Sequence, residues 1–234
     1  MHKIMSICIK EWKDYFFSPM AYIIISIFLL ISGWFFFSTF FLINQASLRD
    51  FFDLLPFVFS FIIPAITMKV FAEEFNLGSY EILITFPIRH IHIILGKFLA
   101  QLLFIILLLM PTLSYPIFVS FLGDLDLGPV VGGYIGAIFL GAAFSAIGLF
   151  ASSLTKSQIN SFIIATIICL FFTLINRMLF FLPEKLITIF NYLSSSYHFQ
   201  NFAKGVIDSR DIIYFFSLTF LFIYLTFLSL ASRQ

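Results

Sequence analysis

Apolar residues gather into six long runs, at positions 20–43, 51–70, 91–122, 129–152, 159–179 and 212–230. Each is close to or above the roughly 20 residues with which an α-helix crosses a bilayer. Lipid offers backbone N–H and C=O groups no partner, so a spanning run must satisfy them within itself, as a helix does. The pattern predicts an all-α, polytopic membrane protein with about six transmembrane helices in one domain over 1–234. The second run contains Pro56 and Pro64, and the third contains Pro111 and Pro116. The third run exceeds a straight crossing, so it is expected to tilt or to kink at its prolines. The fourth carries Gly132-x-x-x-Gly136 and Ala142-x-x-x-Ala146. Small residues at that spacing let helices approach closely, and packing within one subunit is favoured over a dimer seam.

Three segments depart from the apolar pattern. In 1–19, Lys3, Lys10, Glu11, Lys13 and Asp14 alternate with Ile4, Ile7, Trp12, Tyr15 and Phe16. That mixture predicts an amphipathic interfacial helix, with Trp12 and Tyr15 at headgroup depth and Ser18-Pro19 turning the chain into the bilayer. The segment 183–211 is part apolar and part polar, and is too short and too polar to cross twice. An outer re-entrant or surface-lying segment is expected there. The third departure is the polar stretch from 71 to 90.

That stretch places Glu73, Glu74 and Glu81 within a few turns of each other in a chain that is otherwise nearly all apolar. Gly78 is suited to a positive φ that ends a helix continuing from the second run. Ser79 is then an N-cap for a new short helix over 79–86, with Glu81 in its first turn and Pro87 closing it. Ile82, Leu83, Ile84 and Phe86 are too apolar for a free connector and call for a partner surface.

Composition sharpens the class. Charged residues make up 11% of the chain, against roughly 25% in soluble domains, and the mean hydropathy is +1.07. Thirteen Lys and Arg face 12 Asp and Glu, for a net charge of +1. That balance gives no footing for a nucleic-acid partner; the bilayer is the implied one. The 36 phenylalanines read as filler for lipid-facing positions. Cys8 and Cys169 fall at different depths, so no disulfide is expected. The first run is too long for the apolar core of a signal peptide and is expected to remain as an anchor. With the N-terminus inside, Lys3, Lys10, Lys13, Lys69, Arg89, Lys97, Lys156 and Arg233 lie inside. Arg49, Arg177, Lys185, Lys204 and Arg210 then lie outside. The excess of inner cations favours cytoplasmic N- and C-termini.

The residue order in the polar stretch carries a resemblance. Thr67-Met68-Lys69, Ala72-Glu73-Glu74, Gly78-Ser79-x-Glu81, Leu83-x-Thr85-x-Pro87 and Gly96-Lys97 resemble the signature of type-2 ABC transporter permeases. The branch most similar serves gliding motility and nitrous-oxide-reductase maturation. Lys10-Glu11, Ser18-Pro19-x-Ala21-Tyr22, Gly123-Asp124, Asp126-x-Gly128, Gly133-Tyr134-x-Gly136, Ser152-Ser153-Leu154-Thr155-x-x-Gln158 and Gly205-Val206-Ile207-Asp208-x-Arg210-Asp211 extend the likeness along the chain. Lys69 stands where Arg is usual, and Ser79 where Thr is.

The resemblance implies a permease in a bacterial plasma (inner) membrane that couples ATP hydrolysis on a separate subunit to movement of a substrate, in the manner of an exporter. The loop over 71–90 becomes a coupling helix resting on that ATP-binding cassette subunit, through Glu73, Glu74, Gly78, Ser79, Glu81, Leu83, Thr85 and Pro87. The outer segment becomes a gate, with Tyr192, Tyr197, His198 and Phe199 as its candidates. A second permease, identical or related, encloses the pathway, and a periplasmic accessory protein is compatible with the arrangement. No cofactor is expected in this chain; ATP and magnesium belong to the partner.

Two other classes compete. An ion-driven or passive carrier usually holds acids, His or Arg at depth, and the central thirds of the six runs carry no charge. An intramembrane enzyme is the other. Glu73-Glu74 resembles an E-E-x-x-x-R protease motif, but position 78 is Gly, and no G-x-S-x-G elbow exists. His90 and His92 fit no zinc spacing. Nor is there a P-loop, because Ile91 stands where the first glycine belongs and Phe98 follows Gly96-Lys97.

Overall fold

The computed structural model describes residues 2–43, 47–81, 89–178 and 190–232. These form helices α1 (His2–Phe17), α2 (Pro19–Ile43), α3 (Arg49–Thr67), α4 (Ala72–Leu77), α5 (His90–Leu109), α6 (Ser114–Ser120), α7 (Leu127–Leu154), α8 (Gln158–Met178), α9 (Ser195–Ala203) and α10 (Ser209–Ala231). No strand occurs among the described residues. Six helical stretches are long and apolar enough to cross a membrane: Pro19–Phe40, Arg49–Leu77, His90–Ser120, Leu127–Leu154, Gln158–Asn176 and Ser209–Ala231. They coincide with the six runs read from the sequence.

α7 is the central post. It packs against α3, α5, α8, α9 and α10. Its small residues make this approach feasible. A Cβ on Gly136 would stand 2.6 Å from Cβ of Phe202 on α9, and one on Gly141 would stand 2.9 Å from Cγ2 of Ile105 on α5. Gly148 lies against Thr67 at the end of α3. The glycine stripe therefore packs inside the subunit, as expected.

The third span kinks as its prolines foretold. α5 ends at Leu109, a 3₁₀ turn takes Met110–Leu113, and α6 resumes the helix. Pro111 removes one donor from the ladder. Thr112 Oγ1 donates to the Leu109 carbonyl at 2.7 Å, and the Tyr134 hydroxyl of α7 donates to the Thr112 carbonyl at 2.8 Å. Polar groups freed by the break thus find partners inside the protein, as a membrane setting requires. α3, by contrast, runs through both Pro56 and Pro64. Ser60 Oγ on that helix stands 2.9 Å from Thr173 Oγ1 on α8.

Phenylalanine does more than face lipid. Phe52, Phe59, Phe104, Phe144, Phe199 and Phe215 are fully buried. Phe36 stacks on Tyr115 with centroids 4.6 Å apart, and Phe37 meets Phe118 edge-on at 5.6 Å, joining α2 to α6. The lipid-filler expectation holds for Phe35, Phe57, Phe171 and Phe220, which are exposed. It fails for the buried rings, because rings of this size also fill the spaces that the α7 glycines leave.

Candidate functional site

The polar stretch folds into a cornered element at one end of the bundle. α3 ends at Thr67, the chain turns, and α4 begins at Ala72 with Glu73 and Glu74 in its first turn, where the helix dipole favours acids. Gly78 closes α4 at φ 70°, the left-handed conformation expected of it. Helix resumes over 79–81. Ser79 is not its cap. Gly78 already occupies that place, its carbonyl accepting from the Glu81 N–H at 3.3 Å, while Ser79 Oγ donates back to the Glu74 carbonyl at 3.4 Å. Tyr80 is buried; its ring meets Phe75 edge-on at 4.8 Å, and its hydroxyl lies 3.3 Å from His90 Nδ1. Glu81 and Leu77 are exposed. Leu83, Thr85 and Pro87 lie outside the described residues.

Lys97 holds the corner together. It sits two turns into α5 and is 2% exposed. Its Nζ donates to Glu11 Oε1 of α1 at 2.8 Å, to Glu74 Oε1 of α4 at 2.7 Å and to the Val70 carbonyl at 3.1 Å. Those three bonds use all three ammonium donors. Its charge also stands 5.2 Å from the Phe71 ring centroid. Removing a charge from water costs several kcal/mol, and it is tolerated here because the hydrogen bonding is complete. Three pieces of chain distant in sequence converge on one atom: α1, the corner at 70–74 and α5.

α1 reaches this atom because it packs along α5. Ile7 lies at Gly96, where an added Cβ would come within 2.8 Å of it, and Tyr15 lies 5.0 Å from Phe104. Residue numbers rise together along both helices. Burial, helped by Glu11, holds the Tyr15 phenol well above its usual range, so it stays neutral. Lys69 Nζ rests 5.4 Å from its ring centroid. Lys10, Asp14, Lys69 and Glu73 line a cleft of about 380 Å³ between α1 and the α3–α4 corner.

A second fastening comes from α7. Ser152 Oγ accepts from the N–H groups of Phe71 and Ala72, both at 3.0 Å, and donates to the Met68 carbonyl at 3.1 Å. One hydroxyl satisfies three backbone groups exposed by the α3–α4 bend.

At the far end, the candidate gate residues assemble around α9. Ser194 caps it, accepting from the Tyr197 N–H at 3.4 Å. Phe199 and His198 are buried, whereas Tyr192 is exposed and Tyr197 is 38% exposed. His198 Nδ1 lies 2.6 Å from Asp211 Oδ1 on α10, and Nε2 lies 3.0 Å from the Tyr192 carbonyl. A carbonyl only accepts, so Nε2 carries a hydrogen, and one further proton lies between Nδ1 and the carboxylate. Asn201 donates to Asp211 Oδ2 at 3.0 Å, and the Tyr214 ring stacks on His198 at 4.0 Å. The described part of the 183–211 segment thus includes a helix, α9, packed on α7, α8 and α3. Its 179–189 portion lies outside the described residues.

Sequence reasoning placed Glu73, Glu74, Gly78, Ser79 and Glu81 in one element and His198 in another. It missed that Lys97 binds Glu74 and that Asp211 binds His198. Lys97 was visible as a cation inside an apolar run, and Asp211 as an acid at the first turn of the last one. Among the described residues, no group of three or more His, Cys, Asp or Glu is placed to hold a metal ion.

The family model described as ABC-2 family transporter protein matches residues 5–232. No curated protein matches the chain.

Proposed function

Because the chain belongs to the ABC-2 family of transporter proteins, we propose that it is the permease half of an ATP-driven exporter, moved by a separate ATP-binding cassette subunit through the α3–α4 corner. The observation that carries this reading is the buried Lys97 ammonium, which ties α4 to α1 and α5. A push on the corner would therefore reach two other helices without passing through a soft loop. Glu74 faces inward as part of that tie. Glu81, Leu77, Ser79 and Glu73 are left to meet the ATPase, and the sequence signature adds Leu83, Thr85 and Pro87 to the same interface. We further propose that the corner and both termini are cytoplasmic in a bacterial inner membrane. Two permease subunits, identical or related, would then enclose the pathway, with α9 and its Tyr192, Tyr197, His198 and Phe199 as an outer gate. The finer likeness to gliding-motility and nitrous-oxide-reductase-maturation permeases rests on the sequence signature alone.

Glu81→Arg with Leu77→Ser should abolish co-purification of the ATP-binding subunit while the chain still inserts in the membrane. Undiminished complex would refute this interface. In vesicles holding both subunits, transport should follow ATP. Transport that persists without nucleotide and collapses with an uncoupler would favour an ion-driven carrier instead.

A further inference from the structure

Beside the corner lies a cleft of about 590 Å³ between the start of α5 and the last turns of α10. Its rim is basic and its wall is apolar. Arg89 and His90 form the rim; Phe220, Ile223, Tyr224 and Phe227 form the wall. Arg89 is exposed, and the Tyr80 hydroxyl holds His90 Nδ1 at 3.3 Å. α5 opens with no acidic residue in its first turn and no side-chain cap, so the positive end of its dipole is not neutralised from within the helix. Phe220 to Phe227 spans seven residues of helix, about 10 Å along the axis. Phe220 is 73% exposed and Tyr224 51%, in a helix that crosses the bilayer. The wall therefore descends from headgroup depth into the acyl region, with the Arg89 guanidinium and the His90 imidazole at the top.

We propose that this cleft binds an anionic phospholipid of the leaflet on the α1–α4 side. The phosphate would lie against Arg89, His90 and the first turn of α5, and one acyl chain would lie along Phe227, Ile223 and Phe220. Charge complementarity selects the occupant: a basic pocket between transmembrane helices at the membrane edge suits an anionic headgroup. A neutral lipid would fill the wall equally well but would leave the rim unmatched. The site adjoins the proposed ATPase interface, since His90 on its rim meets the hydroxyl of Tyr80, between Ser79 and Glu81; among the described residues, Glu81, Leu77 and Glu73 do not line it.

The test places a reporter in the wall. Tyr224→Trp is made in a full-length background carrying Trp12→Phe and Trp34→Phe, and the protein is reconstituted in phosphatidylcholine vesicles. Phosphatidylglycerol or phosphatidylcholine with brominated chains is then titrated in. Phosphatidylglycerol is expected to quench with roughly fivefold higher affinity, the scale of one basic residue at a membrane surface. Arg89→Gln with His90→Gln should bring the two lipids level without changing quenching by phosphatidylcholine. Equal quenching in the parent, a preference that survives both substitutions, or no quenching by either lipid because protein covers the cleft would each overturn the proposal. Relief of phosphatidylglycerol quenching by millimolar inorganic phosphate at fixed ionic strength would assign the rim to a free anion and overturn it too. Should the tryptophan variant fail to fold, native mass spectrometry of the parent chain reads the same comparison. Retention of phosphatidylglycerol over phosphatidylcholine, lost on Arg89→Gln with His90→Gln, supports the site, and equal retention refutes it.

Discussion

The two ends of this bundle are fastened by buried charge, but by different chemistry. At one end, the Lys97 ammonium gathers Glu11, Glu74 and the Val70 carbonyl from two other parts of the chain. At the other, the His198 imidazole joins Asp211, 13 residues away, and the Tyr192 carbonyl, six residues away. The first knot is non-local and made by a cation of fixed identity. The second is local and made by a shared proton. A non-local knot couples elements that would otherwise move separately; a local one sets the shape of a single hairpin. The contrast is one of reach: the first knot ties separate helices together, and the second ties neighbours in sequence.

The largest expected effect comes from Lys97→Met, which leaves two partly buried carboxylates facing each other. It should cost about 3–5 kcal/mol, the usual penalty for breaking one side of a buried ion pair, read as a lower temperature of irreversible inactivation in detergent. Adding Glu11→Gln and Glu74→Gln should recover much of that loss. A Lys97→Met chain as robust as its parent would dissolve the contrast between the two ends.

His198→Ala comes next. It strips Asp211 of one partner but leaves Asn201, so about 1–3 kcal/mol is expected. Because the knot is local, faster hydrogen exchange should be confined to α9 and the start of α10, with amides of α4 unmoved. Loosening of α4 in this variant would show that the ends are coupled after all.

Ser152→Ala sharpens the picture at the first end. Two buried backbone N–H groups and one carbonyl lose their partner, so about 1–3 kcal/mol is expected. Exchange at the Phe71 and Ala72 amides should rise, with α9 unaffected.

The smallest effect concerns Cys8. Burial, with Glu11 adding to it, raises its thiol above the ordinary value. Since the thiolate is the nucleophile, iodoacetamide should modify Cys8 at least about tenfold more slowly than an exposed thiol at Ser157→Cys. The rate should rise only as pH climbs past the ordinary thiol range, and Glu11→Gln should move that rise to lower pH. Equal rates at neutral pH would argue against the packing of α1 on α5.

Much of the architecture was legible because the bilayer makes hydropathy decisive. A run of apolar residues such as 129–152 can be little other than a helix, and Pro111 can hardly leave a helix intact without help. Gly78 was legible because a glycine after Leu77 and before a new polar cluster is the usual helix stop. The partners of Lys97 and His198 were not. Pairing across 86 residues, as between Glu11 and Lys97, depends on how α1 docks on α5. That docking is permitted by Gly96 opposite Ile7, a detail of shape rather than of pattern. Ser79 misled because capping propensity does not say which of two adjacent residues sits at the boundary. The phenylalanines misled for a related reason: hydropathy reports a preference for leaving water, and lipid and protein interior satisfy it equally.

The break at Pro111 has a mechanical meaning. From Lys97 to Leu109, α5 is an unbroken rod of 12 residue steps, about 18 Å long. Beyond it the 3₁₀ turn is pinned to α7 by Tyr134. The third span has the form of a crank with a hinge pin: driven at Lys97 and pivoted at Thr112, a swing of about 10° would carry the driven end about 4 Å. α6 and the aromatic contacts it shares with α2 would stay still. The same piece of chain would thus let one half of the membrane rearrange while the other half remains shut.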